Sequence, residues 1–390
     1  MPRSKTASRL LALMAGASLV AMSGASLAQD LTASLPDNLK SIYIGATNPV
    51  HPSAYDNFAA PAKPWKWCHS ESYQGNPWRV TVTNELKRLV EAAGATFEVS
   101  DSNNDTGQQI NQIRAFIDKG CTVITSIPGS ATALDDVVKA AYDKGIPFIT
   151  AAGSVTSPYA INVDSNYGAW GYDMIKAIAA DKGGKADILM VEGIAGHPIV
   201  VQEKEGADRA LSEEAGLKVV RTVNGNWTAN VTKSAILQAL ATYPGNIDAV
   251  WTTGSESRVV AEAFAEAGRP VPLITGSVTG DAIGYWKANP DKYNFTGHGV
   301  LPHWTAETLY RVAARLLTGQ HPKLNTLLMP IPAIKLADFA GIYQACMTPD
   351  AVSVFPIPAT DPVPESILDG YFSNPAPTPD YDYSKVPAAC

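Results

Sequence analysis

Residues 121–150, CTVITSIPGSATALDDVVKAAYDKGIPFIT, contain one full period of the pattern that runs through this chain. Residues 121–127 are a short apolar and β-branched run that stops at Pro128, as a buried strand does. Leu134, Val137, Val138 and Ala141 then recur at helical spacing, and Gly145 supplies a C-terminal stop. Residues 146–150 form the next strand. Strand, helix and strand in this order read as a parallel crossover unit.

The same theme extends in both directions. Upstream, residues 65–70 read as a strand, followed by a helix through Val82, Leu86, Leu89, Val90 and Ala93 that Gly94 closes. Residues 97–100 form the next strand, and Ile110, Ile113 and Ile117 form a second helix face ending at Gly120. A second series begins after Asp164, with a helix through Met174 and Ile178. Strands at 187–191, 219–223, 249–252 and 272–275 follow, separated by helices around 203–211, 236–240 and 258–267. Two successive series predict an α/β protein of two Rossmann-like lobes, each with a parallel sheet.

The N-terminus carries the layout of an export signal. Arg3, Lys5 and Arg9 precede a short apolar stretch over residues 10–20, and Ser26-Leu27-Ala28 has the small residues of a cleavage site. The run is broken by Gly16, Ser18, Ser23 and Gly24, so it is a poor membrane span. Cleavage after Ala28 and a periplasmic location are expected. Losing the leader takes the net charge from −7 to −10, which argues against nucleic acid as a partner. About 360 remaining residues call for two domains.

Residues 31–62 and 348–390 lack sustained periodicity and read as decorations packed on the lobes. In an oxidising compartment, Cys346 and Cys390 are expected to pair and anchor the Pro-rich tail between them. Cys68 and Cys121 read as buried free thiols. No Cys or His pair has metal-ligand spacing, so neither metal nor cofactor is expected.

Taken together, these segments resemble the ribose-type (type I) periplasmic sugar-binding proteins of ABC transporters, which are similar to sugar-responsive repressors without a DNA-binding head. The resemblance rests on Gly75-Asn76-Pro77-Trp78-Arg79, Ser102-Asn103-Asn104, Ile146-Pro147-Phe148-Ile149-Thr150, Val163-Asp164-Ser165-Asn166, Gly193-Ile194-Ala195-Gly196 and Ala241-Thr242-Tyr243-Pro244, in that order. It implies two lobes joined by a three-segment hinge, with crossings near Val163, Leu301 and Ile331. The first lobe would then hold residues 63–162 and 302–330, and the second 163–301 and 331–345. Residues 1–28 would be the signal peptide, 29–62 an N-terminal extension and 346–390 a C-terminal tail. A monomer that captures a small solute and delivers it to an inner-membrane ABC permease is the expected function.

In such folds ligands lie beyond the carboxyl ends of the strands. Asn76, Trp78 and Arg79 are candidates in the first lobe, and Trp227 is a facing aromatic candidate in the second. Where the family carries polar clamp residues, this chain has Ala152 and Gly153, Val201, Gly254, Ser277 and Val300. The sugar clamp therefore reads as dismantled, and ribose as a doubtful ligand. A larger, flatter or less hydroxylated solute, such as a deoxygenated or cyclic polyol or an aromatic acid, suits these departures better. His69, Glu71, His197, Gln202, Glu256, Asp281 and His303 are available as replacement polar groups, and Trp304 as a third aromatic wall.

Two other functions compete with import. An α/β enzyme needs a nucleophile, an acid–base pair or a phosphate loop, and no such motif is present in the sequence. A receptor that presents its ligand to a membrane sensor would have the same fold, and the sequence does not separate it from an importer.

Overall fold

The computed structural model describes residues 31–386 and 388–390. The expected signal peptide at 1–28 lies outside the described residues.

The strands are β1 (Lys66–Glu71), β2 (Thr96–Asp101), β3 (Val123–Ile127), β4 (Phe148–Ala151), β5 (Ala160–Ser165), β6 (Ala186–Glu192) and β7 (Leu217–Asn224). They continue with β8 (Ala249–Thr252), β9 (Leu273–Ile274), β10 (Asn294–His298), β11 (Thr326–Met329) and β12 (Ala333–Lys335). They make two six-stranded sheets, ordered β11-β5-β4-β3-β1-β2 and β12-β10-β9-β8-β6-β7. All pairings are parallel except β10 with β12. β3, β4 and β5 are buried along their whole length, and β5 (AINVDS), with Asn162, Asp164 and Ser165 in it, is a strand the sequence reading did not identify. The edge strands β2 and β7 are exposed or half-buried along nearly their whole length.

The connecting helices are α1 (Pro77–Ala92), α2 (Thr106–Asp118), α3 (Asp135–Asp143), α4 (Tyr167–Asp181), α5 (Pro198–Glu213), α6 (Ala229–Thr242), α7 (Ser257–Glu266), α8 (Gly280–Ala288) and α9 (Pro302–Leu317). Gly94, Gly120 and Gly145 take positive φ of 76°, 68° and 70° after α1, α2 and α3, the left-handed stop their positions predict. The chain changes sheet after β5, between β10 and β11, and between β11 and β12. β5 continues in the first sheet past the boundary expected at residue 162, because Val163, Asp164 and Ser165 pair in register with Leu327, Leu328 and Met329.

The four cysteines form two disulfides, Cys68–Cys121 and Cys346–Cys390. The reading of Cys68 and Cys121 as free thiols is corrected. Although β2 and α2 separate them in sequence, β1 and β3 are neighbours in the sheet, which leaves the two Cα atoms 6.1 Å apart.

The Cys68–Cys121 bond closes a loop with a sequence separation of 53, so chain entropy assigns it about 4 kcal/mol. The C68S/C121S double variant is expected to melt roughly 10 °C below the parent by scanning calorimetry. An unchanged transition would show that the bond does not constrain the unfolded chain.

Candidate functional site

The carboxyl ends of the two sheets face each other across a cavity of about 340 Å³. On the first lobe its wall is the turn that starts α1. Asn76 is the N-cap: its Oδ1 accepts from the Arg79 amide at 3.0 Å, which leaves its Nδ2 to donate to the Tyr73 hydroxyl at 2.8 Å. Capping and lining the cavity are therefore one role for this residue. Trp78 donates its indole N–H to the Val300 carbonyl at 2.9 Å. Ser277, from the loop after β9, directs its hydroxyl to the same carbonyl at 3.4 Å. Each wall thus rests one residue on the strand of chain that passes between the lobes.

Arg79 is 3% exposed, and both of its terminal nitrogens have partners. One nitrogen donates to Glu71 at 2.9 Å and Ser72 at 3.0 Å, and the other reaches His197 Nε2 across the cleft at 3.0 Å. A guanidinium only donates, so this imidazole nitrogen is the acceptor and the ring is neutral. Burial and the Arg79 charge both hold the His197 pKa well below its ordinary value.

Trp227 forms the opposite wall. Asn226 and Trp227 have φ of 53° and 49°, a left-handed turn that non-glycine residues adopt at a cost of about 1–3 kcal/mol each. The turn presses the indole against Gly193, where an added Cβ would stand 2.2 Å from the ring, and the His197 edge meets the indole at 4.9 Å. Gly254 is small for a related reason. A Cβ there would come within 2.0 Å of the Glu256 carboxylate and 2.7 Å of Trp227. A missing polar side chain at 254 thus makes room for a charged one at 256.

Of the residues read from the sequence, Asn76, Trp78, Arg79, Ala152, Trp227, Gly254, Glu256, Ser277 and Val300 all line this cavity. Gly153 and Gln202 do not. Gly153 packs beneath it between Pro128 and His197, and Gln202 is buried in α5 with its Oε1 unpartnered. Among the replacement groups, Asp281 lines the cavity. His69 is buried in β1 against Thr125, and Glu71 stands behind Arg79. Trp304 is not a wall, since it packs in the core with its indole N–H on Met329 Sδ at 3.1 Å.

Tyr167, Trp170, Glu203, Arg258 and Phe355 line the cavity without having been read from the sequence. Tyr167 and Trp170 belong to the first turn of α4, ahead of the Met174 and Ile178 face that marked this helix in the sequence. Glu203 follows Gln202 in α5, and one residue turns the side chain about 100° around the helix.

The charges are unevenly paired. Arg79 is neutralised by Glu71, and Arg258 by Asp281 at 2.7 Å and Glu262 at 2.5 Å. Glu203 has Thr253 at 2.6 Å but no cation, and burial pushes its carboxyl well above the usual range. Glu256 is 7% exposed and has no ion-pair partner among the described residues; burial pushes it up to about 7. The cavity therefore offers two uncompensated carboxyl groups among aromatic faces and no free guanidinium. This is chemistry for hydroxyl groups, and it is unfavourable to an anion. Among the described residues no group of three or more His, Cys, Asp or Glu is placed to hold a metal ion.

A family model described as a periplasmic binding protein domain matches residues 70–323. The chain is 27% identical over 178 residues to the xylitol-binding protein of Mycolicibacterium smegmatis, covering 45% of this chain and 51% of that one. It is 25% identical over 219 residues to the galactofuranose-binding protein YtfQ of Escherichia coli, covering 52% and 67%. The chain thus aligns with about half to two thirds of the length of these curated relatives. Among solved structures, an ABC transporter solute binding protein from Thermobispora bispora matches with a TM-score of 0.69 at 25% identity, over 81% of this chain and 99% of that one. A solute binding protein from Bacillus halodurans with bound myo-inositol matches in fold, with a TM-score of 0.66 at 20% identity, over 73% and 98%.

Glu256 binds its proton at about 7 in the folded chain against an ordinary 4.5. Between those values the folded state holds more protons than the unfolded, so this group's contribution to stability falls as pH rises. Glu256→Gln removes that slope. The melting temperature of E256Q relative to the parent is expected to climb from pH 4.5 to pH 7 and then level off in scanning fluorimetry. A pH-independent difference would show that Glu256 titrates normally.

Proposed function

The chain belongs to the periplasmic binding protein domain family, and on that premise we propose that it is the exported solute-binding component of an ABC importer. On this reading it captures a neutral, ring-shaped polyol of monosaccharide size between its lobes. The observation that carries it is the pairing of uncompensated carboxyls with aromatic walls in one cleft fed by both lobes. Carboxyl groups accept or donate to hydroxyls, while indole faces take the apolar side of a ring. The volume, at the low end for small-molecule sites, suits one ring.

The names of its relatives support the solute class. The proteins reported above are named for xylitol, galactofuranose and bound myo-inositol, all neutral and polyhydroxylated. Similar proteins are binding proteins, and the cleft of this chain needs no chemistry to do the same work. The aromatic acid considered from the sequence loses support, because both cavity arginines are already paired.

Closure follows from contacts on both sides. A solute shifts the open and closed populations only through its differential contacts with the two lobes. Asn76, Trp78 and Arg79 provide one set, and Trp227, Glu256 and Ser277 the other. The closed form is the species a permease would recognise. Presentation to a membrane sensor is the second reading, supported by a fold match to the fructose binding periplasmic domain of a hybrid two component system.

Native mass spectrometry of the freshly purified protein, followed by a thermal-shift screen of sugars, cyclitols and carboxylates, tests the class. Neutral ring polyols are expected to stabilise most, and a carboxylate that stabilised best would overturn the reading. Trp78→Ala and Trp227→Ala are each expected to weaken the best solute at least tenfold by calorimetry. Unchanged affinity in both variants would remove the aromatic walls from the site.

A further inference from the structure

The C-terminal tail lies outside the family match, which ends at residue 323, yet it reaches the cleft. It starts at Cys346 and runs along α8 of the second lobe, where Gly280 and Gly284 stand one turn apart on the same face. The Gly280 amide donates to the Val354 carbonyl at 2.8 Å. An added Cβ at Gly280 would meet that carbonyl at 2.6 Å, and one at Gly284 would meet the Thr348 backbone at 2.4 Å. The two glycines form a groove that seats the tail's backbone.

Beyond Val354 the tail crosses to the first lobe. Asp361 takes Arg311 of α9 at 2.9 Å, and Asp369 takes Arg315 at 2.8 Å. Glu365 binds both arginines, which are 1% exposed or less. A short helix, Glu365–Tyr371, packs there, and the Tyr371 hydroxyl donates to the Leu324 carbonyl at 2.6 Å. The chain then returns to Cys346 through the Cys346–Cys390 bond. The tail is thus a closed loop attached to both lobes.

Val352, within the first attachment, and Phe355, just after it, both line the solute cavity. Phe355 is 2% exposed but belongs to neither hydrophobic core of the molecule. At this exposure the ring is held by the protein atoms around it, so the part that meets the cavity is a fixed piece of wall. Pro356 and Pro358 follow it, restricting the backbone just where the tail leaves the second lobe.

We propose that Phe355 is a specificity-determining residue: the tail forms one wall of the solute site, and this ring sets the upper size of the solute admitted. The proposal rests on the solute-binding reading above and adds to it a residue outside the matched domain. It separates this cleft from one built by the two lobes alone, which would be open on the side that the tail covers.

Calorimetric titration of the full-length protein tests it, with ribose, galactose, xylitol and myo-inositol as small probes and sucrose and lactose as large ones. The parent is expected to bind at least one small probe and neither disaccharide. Phe355→Ala is expected to lose tenfold or more for that small probe and to gain measurable disaccharide binding. If F355A loses its cooperative melt, F355L is read in its place, with the same shift expected in smaller degree. A folded variant that keeps the parent's ranking, with affinities within twofold, overturns the role of Phe355 and leaves the solute-binding reading standing. A parent that binds a disaccharide best overturns the size limit alone. A parent that binds none of the six overturns both readings.

Discussion

The Arg79 guanidinium, buried at the N-terminus of α1, is bonded to Glu71 and Ser72 on its own lobe and to His197 on the other. Its charge has to be compensated, because a buried ion left without its partner costs about 3–5 kcal/mol. Glu71 meets that demand from the end of β1, fixing where the first turn of α1 starts. Asn76 then caps the helix and Trp78 follows one residue inside it. The neutral His197 ring accepts from Arg79 and sets its edge against Trp227. One ion pair therefore orders residues on both walls, and its satisfaction within the protein leaves Arg79 unavailable as an anion trap.

The polar groups that face the cavity have moved and have not been lost. Ala152 and Gly153 look like a deletion of polarity when read one position at a time. In three dimensions Gly153 is a floor for His197, and its φ of 140° is one that a residue with a side chain adopts only under strain. Gly254 likewise yields its space to Glu256 and Trp227. The carboxyls of Glu203 and Glu256 hold the positions from which a ring's edge can be read. The reading of a dismantled clamp took each position alone, whereas Glu203 and Glu256 bring carboxyls to the same cavity from other positions.

The two lobes were legible because their determinants are local. Apolar runs of five or six residues, helical spacing and a left-handed glycine after each of α1, α2 and α3 are properties of neighbouring residues. The wall around Asn76, Trp78 and Arg79 was legible for the same reason, as a turn at a strand's carboxyl end. What escaped the sequence depends on contacts between distant segments. Cys68 and Cys121 meet only because β3 lies beside β1, a matter of sheet order. Glu203 differs from Gln202 by its direction around a helix, and Phe355 has no periodic context at all. Trp304 was misplaced because a helix interior and a cleft wall demand the same apolar residue.

Uncompensated carboxyls in a buried cleft also constrain how it works. An ionised carboxylate without a partner is costly to bury, and the raised pKa values of Glu203 and Glu256 express that cost as retained protons. A protonated carboxyl offers one donor and keeps acceptor capacity, so it can meet a hydroxyl in either sense. A neutral polyol exploits both without bringing a charge into the cleft, whereas a carboxylate solute would bring a second negative charge beside groups already disfavoured when ionised. The strained turn at Asn226 and Trp227 fits the same logic. Its cost is borne in advance by the fold, so the indole need not be reordered when the solute arrives. The Val300 carbonyl receives Trp78 from one wall and Ser277 from the other, so the two walls share one support in the segment between the lobes.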